Sequence, residues 1–159
     1  LELDVERPAP AVHADRAQLT ASLINLLANA RDASPDGGIV RVKVRRDPGR
    51  GARVAIAVVD QGSGMTPEVA RRATEPFFTT RTAQGGSGLG LSMVEGFCRQ
   101  SGGELLIESQ PGRGTNVTMI LPEDLLTPNT PNVRAPNKQG PFYGQSALLV
   151  EDNERLRRV

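Results

Sequence analysis

The amino-acid sequence predicts an α+β fold, a two-layer α/β sandwich in which a mixed, mostly antiparallel sheet is covered on one face by about three helices. Two pairs of alternating β-branched runs, each joined by a glycine turn, supply most of the sheet, and two long segments with one apolar face supply the main helices. Length agrees: 159 residues suffice for one sizeable core but not for two full domains, at roughly 100–200 residues per domain. With 19 Lys+Arg against 18 Asp+Glu there is no cationic surplus for a phosphate backbone, which argues against nucleic acid as a partner. The single Cys98 cannot form an internal disulfide, and neither a signal-peptide pattern nor a membrane-length apolar run is present. The chain reads as soluble and cytoplasmic, with no membrane insertion of its own.

Residues 1–6 (LELDVE) alternate apolar and acidic, which predicts a short strand with one wet face. After a Pro-rich joint, Asp15 is placed to cap a helix running to Ala33, with Gln18 three residues on as in a capping box. Its apolar face is Leu19, Leu23, Leu26, Leu27 and Ala30, and SPDGG at 34–38 stops it. Strands are expected at 39–46 and 53–60, forming an antiparallel hairpin. A short helix from Pro67 to Ala73 and a long irregular segment to about Ser87 follow. A second long helix spans 88–101 and stops at Gly102-Gly103, and strands at 104–109 and 115–121 flank the turn QPGRG.

Composition shifts at Pro122: residues 122–146 hold five of the 12 prolines and show no apolar periodicity. This predicts a domain over 1–122, a linker over 123–146 and, in ALLVED at 147–152, the start of a second domain.

On the first long helix, Gln18, Ser22, Asn25, Asn29 and Asp32 share one sector opposite the leucines. Solvated helix faces are normally Glu, Lys and Arg, because mid-helix Asn competes with the backbone. Asn25 and Asn29 aim two neutral amides at one point, suited to a hard cation or a phosphate; a merely solvated face is the other reading of the same residues. Asp60 ends a strand and runs into Gln61-Gly62-Ser63-Gly64, which places a carboxylate where it can accept from an adenine amine, or where it merely caps a turn. In GGSGLGLS at 85–92, Gly86, Gly88 and Gly90 lead into a helix whose first amides can bind phosphate. The spacing is neither a dinucleotide fingerprint nor a P-loop. Between the clusters lies a lid-like stretch in which Phe77 and Phe78 are expected to pin the chain to the core. Arg81 there is the cation best placed for a terminal phosphate, unless it is a solvated surface residue.

Taken in order, NLLANARDA (25–33), DQGSGM (60–65), EPFFTT (75–80) and GGSGLGLSMV (85–94) resemble the N box, first glycine box, F box and second glycine box of sensor histidine kinases. Gly112-x-Gly114-Thr115 looks like that family's closing glycine element. The resemblance covers about residues 1–122 and implies an ATP-binding catalytic domain of the Bergerat type, also found in Hsp90, DNA gyrase and MutL. By the same resemblance Asn29 coordinates Mg²⁺, Asn25 and Asp32 line the phosphate region, and Asp60 reads adenine. Gly62 and Gly64 shape the base pocket, and Gly86, Gly88 and Gly90 close over the phosphates. Thr80, Leu89 and Thr115 complete the nucleotide-binding set, while Arg81 joins Asn25 and Asn29 as a catalytic group.

Where the ATPase branches of this superfamily carry a glutamate general base, this sequence has Asn25, which cannot take a proton from water. That favours phosphoryl transfer to a protein histidine over hydrolysis. His13, the one His, is not followed by the acidic residue expected beside a phosphoacceptor. The acceptor is therefore expected on a separate dimerisation and phosphoacceptor domain, with a response-regulator receiver as the next partner. Glu151 and Asp152 resemble the acidic pair that opens such a receiver, which implies a hybrid kinase. The competing readings are a serine kinase of the anti-sigma-factor type and a nucleotide-binding module without transfer activity.

Overall fold

The first helix begins where the sequence places its cap. Asp15 is extended and its Oδ1 accepts the Gln18 N–H at 2.8 Å, starting α1 (Arg16–Ala33). The Gln18 side chain stays exposed, so only half of a capping box forms. The structure, a computed structural model, describes residues 1–47, 49, 51–81 and 86–125. Gly85, the linker beyond Leu125 and the acidic pair Glu151 and Asp152 lie outside the described residues.

Five strands form one sheet: β1 (Glu2–Val5), β2 (Arg41–Arg46), β3 (Arg53–Val59), β4 (Glu104–Gln110) and β5 (Gly114–Pro122), in the order β1-β2-β3-β5-β4. Only β1 and β2 run parallel; the other pairs are antiparallel, so the sheet is mixed and mostly antiparallel. The helices are α1, α2 (Pro67–Arg72) and α3 (Gly90–Gln100). Alternation along β3 puts Val54, Ile56 and Val58 on the helix side, where they meet Val117, Met119 and Leu121 of β5, Leu26 and Ala30 of α1, and Val94, Phe97 and Cys98 of α3. Burial pushes the Cys98 thiol up to about 12, with Glu95 adding to the effect, so it packs as a small apolar group. α2 contributes no buried residue.

One expectation changes at the sheet edge. Leu3 aligns with core-facing Val42 but is 72% exposed, so β1 is wet on both faces rather than one. Charge holds this edge: Arg41 pairs with Glu2, Arg45 with Asp4, and Arg46 with Glu6.

Arg46 also closes the far end of the sheet. Its Nη1 donates to Glu6 Oε1 at 2.8 Å and to the Pro8 carbonyl at 3.0 Å, and its Nε to Glu123 Oε1 at 2.7 Å. Beside it Val12 pairs with Glu123, His13 N–H donates to the Pro122 carbonyl at 3.0 Å, and Asp124 N–H to the Ala11 carbonyl at 2.9 Å. Ordered pairing thus continues past Pro122. Among the described residues no helix is long and apolar enough to cross a membrane.

Candidate functional site

Strand alternation places Asp60, which follows β3, on the helix side, where it is 6% exposed. Val59 faces Asn116, so the next pair across the sheet is Asp60 and Thr115. Asp60 N–H donates to the Thr115 carbonyl at 2.9 Å, and the Thr115 N–H returns to Asp60 Oδ1 at 3.2 Å. Gly62 N–H donates to the same Oδ1 at 2.8 Å. Two backbone amides therefore occupy Oδ1, while Oδ2 has no protein partner. Since no buried side-chain polar atom among the described residues is left unsatisfied, Oδ2 faces accessible space.

The glycines after Asp60 are fixed by close approach. A Cβ on Gly62 would stand 2.3 Å from the Ala33 carbonyl oxygen, and one on Gly64, at φ +65°, would stand 1.9 Å from that of Gln110. The turn is thereby wedged between the end of α1 and the β4–β5 hairpin. Ser63 N–H donates to the Ala33 carbonyl at 3.0 Å, and Met65 N–H to Ser109 Oγ at 2.8 Å.

A second cluster forms where the end of α1 meets the start of α3. Asn25 and Asn29 are partly buried, and a Cβ on Gly90 would lie 3.6 Å from Asn29 Nδ2 and 4.0 Å from Asn25 Cγ. Having no side chain there, α3 begins without a group that would stand in contact with both carboxamides. Leu89, its N-cap, offers no side-chain hydrogen bond, so the first helical amides carry no side-chain cap. Ser22 is 4% exposed, which shows that the polar sector of α1 is packed at this level and is not a continuous solvated face.

Backbone clamps join the F-box and second glycine-box segments. Phe77 N–H donates to the Gly88 carbonyl at 2.9 Å, and a Cβ on Gly88, at φ +68°, would fall 2.4 Å from the Phe77 carbonyl carbon. Gly86 is exposed, and its N–H donates to the Arg81 carbonyl at 3.1 Å. Thr80 is exposed beside Arg81, with no side-chain hydrogen bond among the described residues. Arg81 is neither free nor merely solvated: its Nη1 lies 3.6 Å from Oδ2 of Asp32, whose Oδ1 accepts Arg31 Nη2 at 2.8 Å. The pinning expected of the two phenylalanines is corrected. Phe77 is 74% exposed and held only through its backbone at φ +66°, while Phe78 lies under the Arg72 guanidinium, 4.2 Å from ring centre to cation.

His13 sits apart. It lines an open cleft of about 450 Å³ with Asp15, Gln18, Gln100 and Asp124, at the start of α1 and the end of α3. It precedes the cap of α1, and the helix from Arg16 to Asn29 alone spans roughly 20 Å at 1.5 Å per residue. The sequence reading missed Ser109, which lies beside Thr115 in the pairing of β4 with β5. Its parity along ELLIES was the available signal.

The family described as "Histidine kinase-, DNA gyrase B-, and HSP90-like ATPase" matches residues 14–125, which include Asn25, Asn29, Asp60, Arg81 and Thr115 but not His13. The chain belongs to this family. Among its relatives, "Sensor kinase CckA" of Brucella abortus is 34% identical over 99% of this chain, which spans 19% of that protein's length. "Sensor-like histidine kinase SenX3" of Mycobacterium tuberculosis is 38% identical over 76% of this chain and 30% of its own. The solved "Mycobacterial sensor histidine kinase MprB" superposes with a TM-score of 0.66 at 32% identity, covering 77% of this chain and 80% of that one. This HATPase domain thus shares its open five-stranded sheet with histidine kinase catalytic domains.

Proposed function

We propose that the chain is the ATP-binding catalytic domain of a hybrid sensor histidine kinase, which binds Mg·ATP and passes the γ-phosphoryl group to a histidine on a dimerisation and phosphoacceptor domain. The observation that carries this reading is a pair of groups set along α1: a partnerless carboxylate oxygen on Asp60, whose glycine turn packs on the end of α1, and the Asn25 and Asn29 carboxamides facing the uncapped glycine start of α3. Asp60 Oδ2 accepts the exocyclic amine of adenine, with Thr115 beside it and Gly62 and Gly64 shaping the pocket. The α3 amides from Leu89 and Gly90 onward receive phosphate oxygens, and Gly86 and Gly88 let the chain close over them. Arg81 and the exposed Thr80 meet the terminal phosphate from the F-box side.

Among the described residues no group of three or more His, Cys, Asp or Glu side chains could hold a metal. The partly buried Asn29 carboxamide, a neutral hard-oxygen donor, fits Mg²⁺ carried in by the nucleotide, for which phosphate oxygens and water would supply the other ligands. The ion would supply neutralisation of phosphate charge. Asn25 lacks the basicity to activate water, which favours transfer to a histidine over hydrolysis. The alignment with the Brucella kinase runs through 99% of this chain, which supports reading the segment beyond the domain as a linker over 123–146 and a receiver start at 147–159.

The test mixes the chain with a separately purified histidine-bearing helical hairpin and γ-labelled ATP. Acid-labile label on the hairpin is the expected result. Acid-stable label would assign a serine kinase, and tight ATP binding without label on any tested hairpin would leave a nucleotide-binding module.

A further inference from the structure

Ser109, Thr115 and Asp60 form one row across β4, β5 and the end of β3, all on the helix side of the sheet. Ser109 Oγ is the hub of the row. It accepts the Met65 N–H at 2.8 Å and lies 2.8 Å from Thr115 Oγ1 and 3.1 Å from the Gly114 carbonyl oxygen. A serine hydroxyl has one proton, so Ser109 can donate to Thr115 or to Gly114, not fully to both. The choice decides what Thr115 presents. If Ser109 donates to the carbonyl, the Thr115 proton must point back at Ser109, and Thr115 offers the pocket only lone pairs. If Ser109 donates to Thr115, along the shorter contact, the Thr115 proton is released toward the pocket beside Asp60.

A carboxylate alone cannot distinguish purines, because it accepts equally well from an adenine amine and from the ring N–H of guanine or hypoxanthine. A donor placed beside it can. Adenine offers a donor amine next to an acceptor ring nitrogen; hypoxanthine offers an acceptor carbonyl next to a donor ring N–H. We infer that Ser109 is a specificity-determining positioning residue: by donating to Thr115 it fixes the threonine hydroxyl with its proton turned toward the ring nitrogen, directly or through one water, an orientation that Thr115 without this partner holds only part of the time, and so completes an adenine-selective edge with Asp60. This rests on the reading of Asp60 as the base-binding carboxylate.

Binding of ATP, ITP and purine-riboside triphosphate, which keeps the ring nitrogen but lacks the amine, is measured by calorimetry on the full chain. In Ser109→Ala the affinities for ATP and purine-riboside triphosphate should fall together by about fivefold, the scale of one neutral hydrogen bond, while ITP changes less than about twofold. Ser109→Thr should restore the preference, and Ser109→Ala should have no further effect on the ATP-to-ITP ratio in a Thr115→Val background. If Ser109→Ala fails to fold, Ser109→Cys, with its weaker S–H donor, should shift the ratio in the same direction. An unchanged ratio in the folded variants, with all three nucleotides weakened alike, overturns the proposal and leaves Ser109 as a packing residue. A wild-type chain that binds no nucleotide overturns the site itself, a different result.

Discussion

At Asp60 the two carboxylate oxygens have different tasks, which makes a sharp substitution possible. In Asp60→Asn the remaining carbonyl oxygen can still accept the Gly62 and Thr115 amides, so the turn survives, but the NH₂ group replaces the open acceptor. ATP affinity should drop at least about tenfold, as expected for a lost hydrogen bond to a charged group, with little change in melting temperature. Calorimetry and a thermal melt on the same sample decide it, and unaltered affinity removes Asp60 from the base pocket. Asn25→Glu supplies the missing general base; on the reading above, phosphate release from ATP should rise in the absence of any histidine acceptor. A colorimetric phosphate assay showing no increase over wild type would place Asn25 elsewhere in the mechanism. Several candidates could be named from spacing alone: the Asn25–Asn29 pair, which the structure sets beside the start of α3, and Asp60, which it buries at the end of β3. Ser109 could not, because its parity along ELLIES gives only its face, and its importance comes from a cross-strand neighbour. The exposure of Phe77 escaped for a similar reason, since a backbone clamp to Gly88 depends on a segment distant in sequence.

At the scale of elements, α1, β3 and β5 were readable because each has a clean period and an apolar face that found a partner. The edge strand β1 was readable as a strand but not in its environment, since alternation cannot reveal that the helices stop short of Leu3. Here charges hold the edge. Arg46 donates through both backbone and side chain to Glu6 and holds that carboxyl below the usual carboxylate range, and Arg45 does the same to Asp4 through its side chain. Lowered values in the folded state mean that this contribution is present above the ordinary carboxylate range, near pH 4–4.5, and is lost as pH falls through the folded-state values. Melting temperature should therefore decline on acidification below about pH 5, more steeply for wild type than for Arg46→Met. Identical slopes in the two proteins would show that the network adds nothing to pH-dependent stability. At neutral pH Arg46→Met should melt below Arg45→Met, because Arg46 alone ties three segments.

Over the whole molecule, the nucleotide groups gather at the end of α1 and the start of α3, and the pairing of residues 11–13 with 122–124 lies at the other end of β3 and β5. A chain terminated after Leu125 should keep wild-type ATP affinity and cooperative melting, whereas one terminated after Leu121 loses the Glu123 contact to Arg46 and should melt earlier. Matching melting curves for the two truncations would mean that the pairing past Pro122 is inessential. Composition shifts at Pro122 but could not show the pairing, which joins stretches about 110 positions apart and is invisible to any local pattern.

Because β1 runs parallel to β2, the chain enters it at the end of the sheet that carries Asp60 and reaches the bridge between Val12 and Glu123 only after crossing the whole edge. A host receiving the domain as an insert would have to offer two attachment points on opposite sides of it, and a pull between them would load the ion pairs of Glu2, Asp4 and Glu6 before it reached the core.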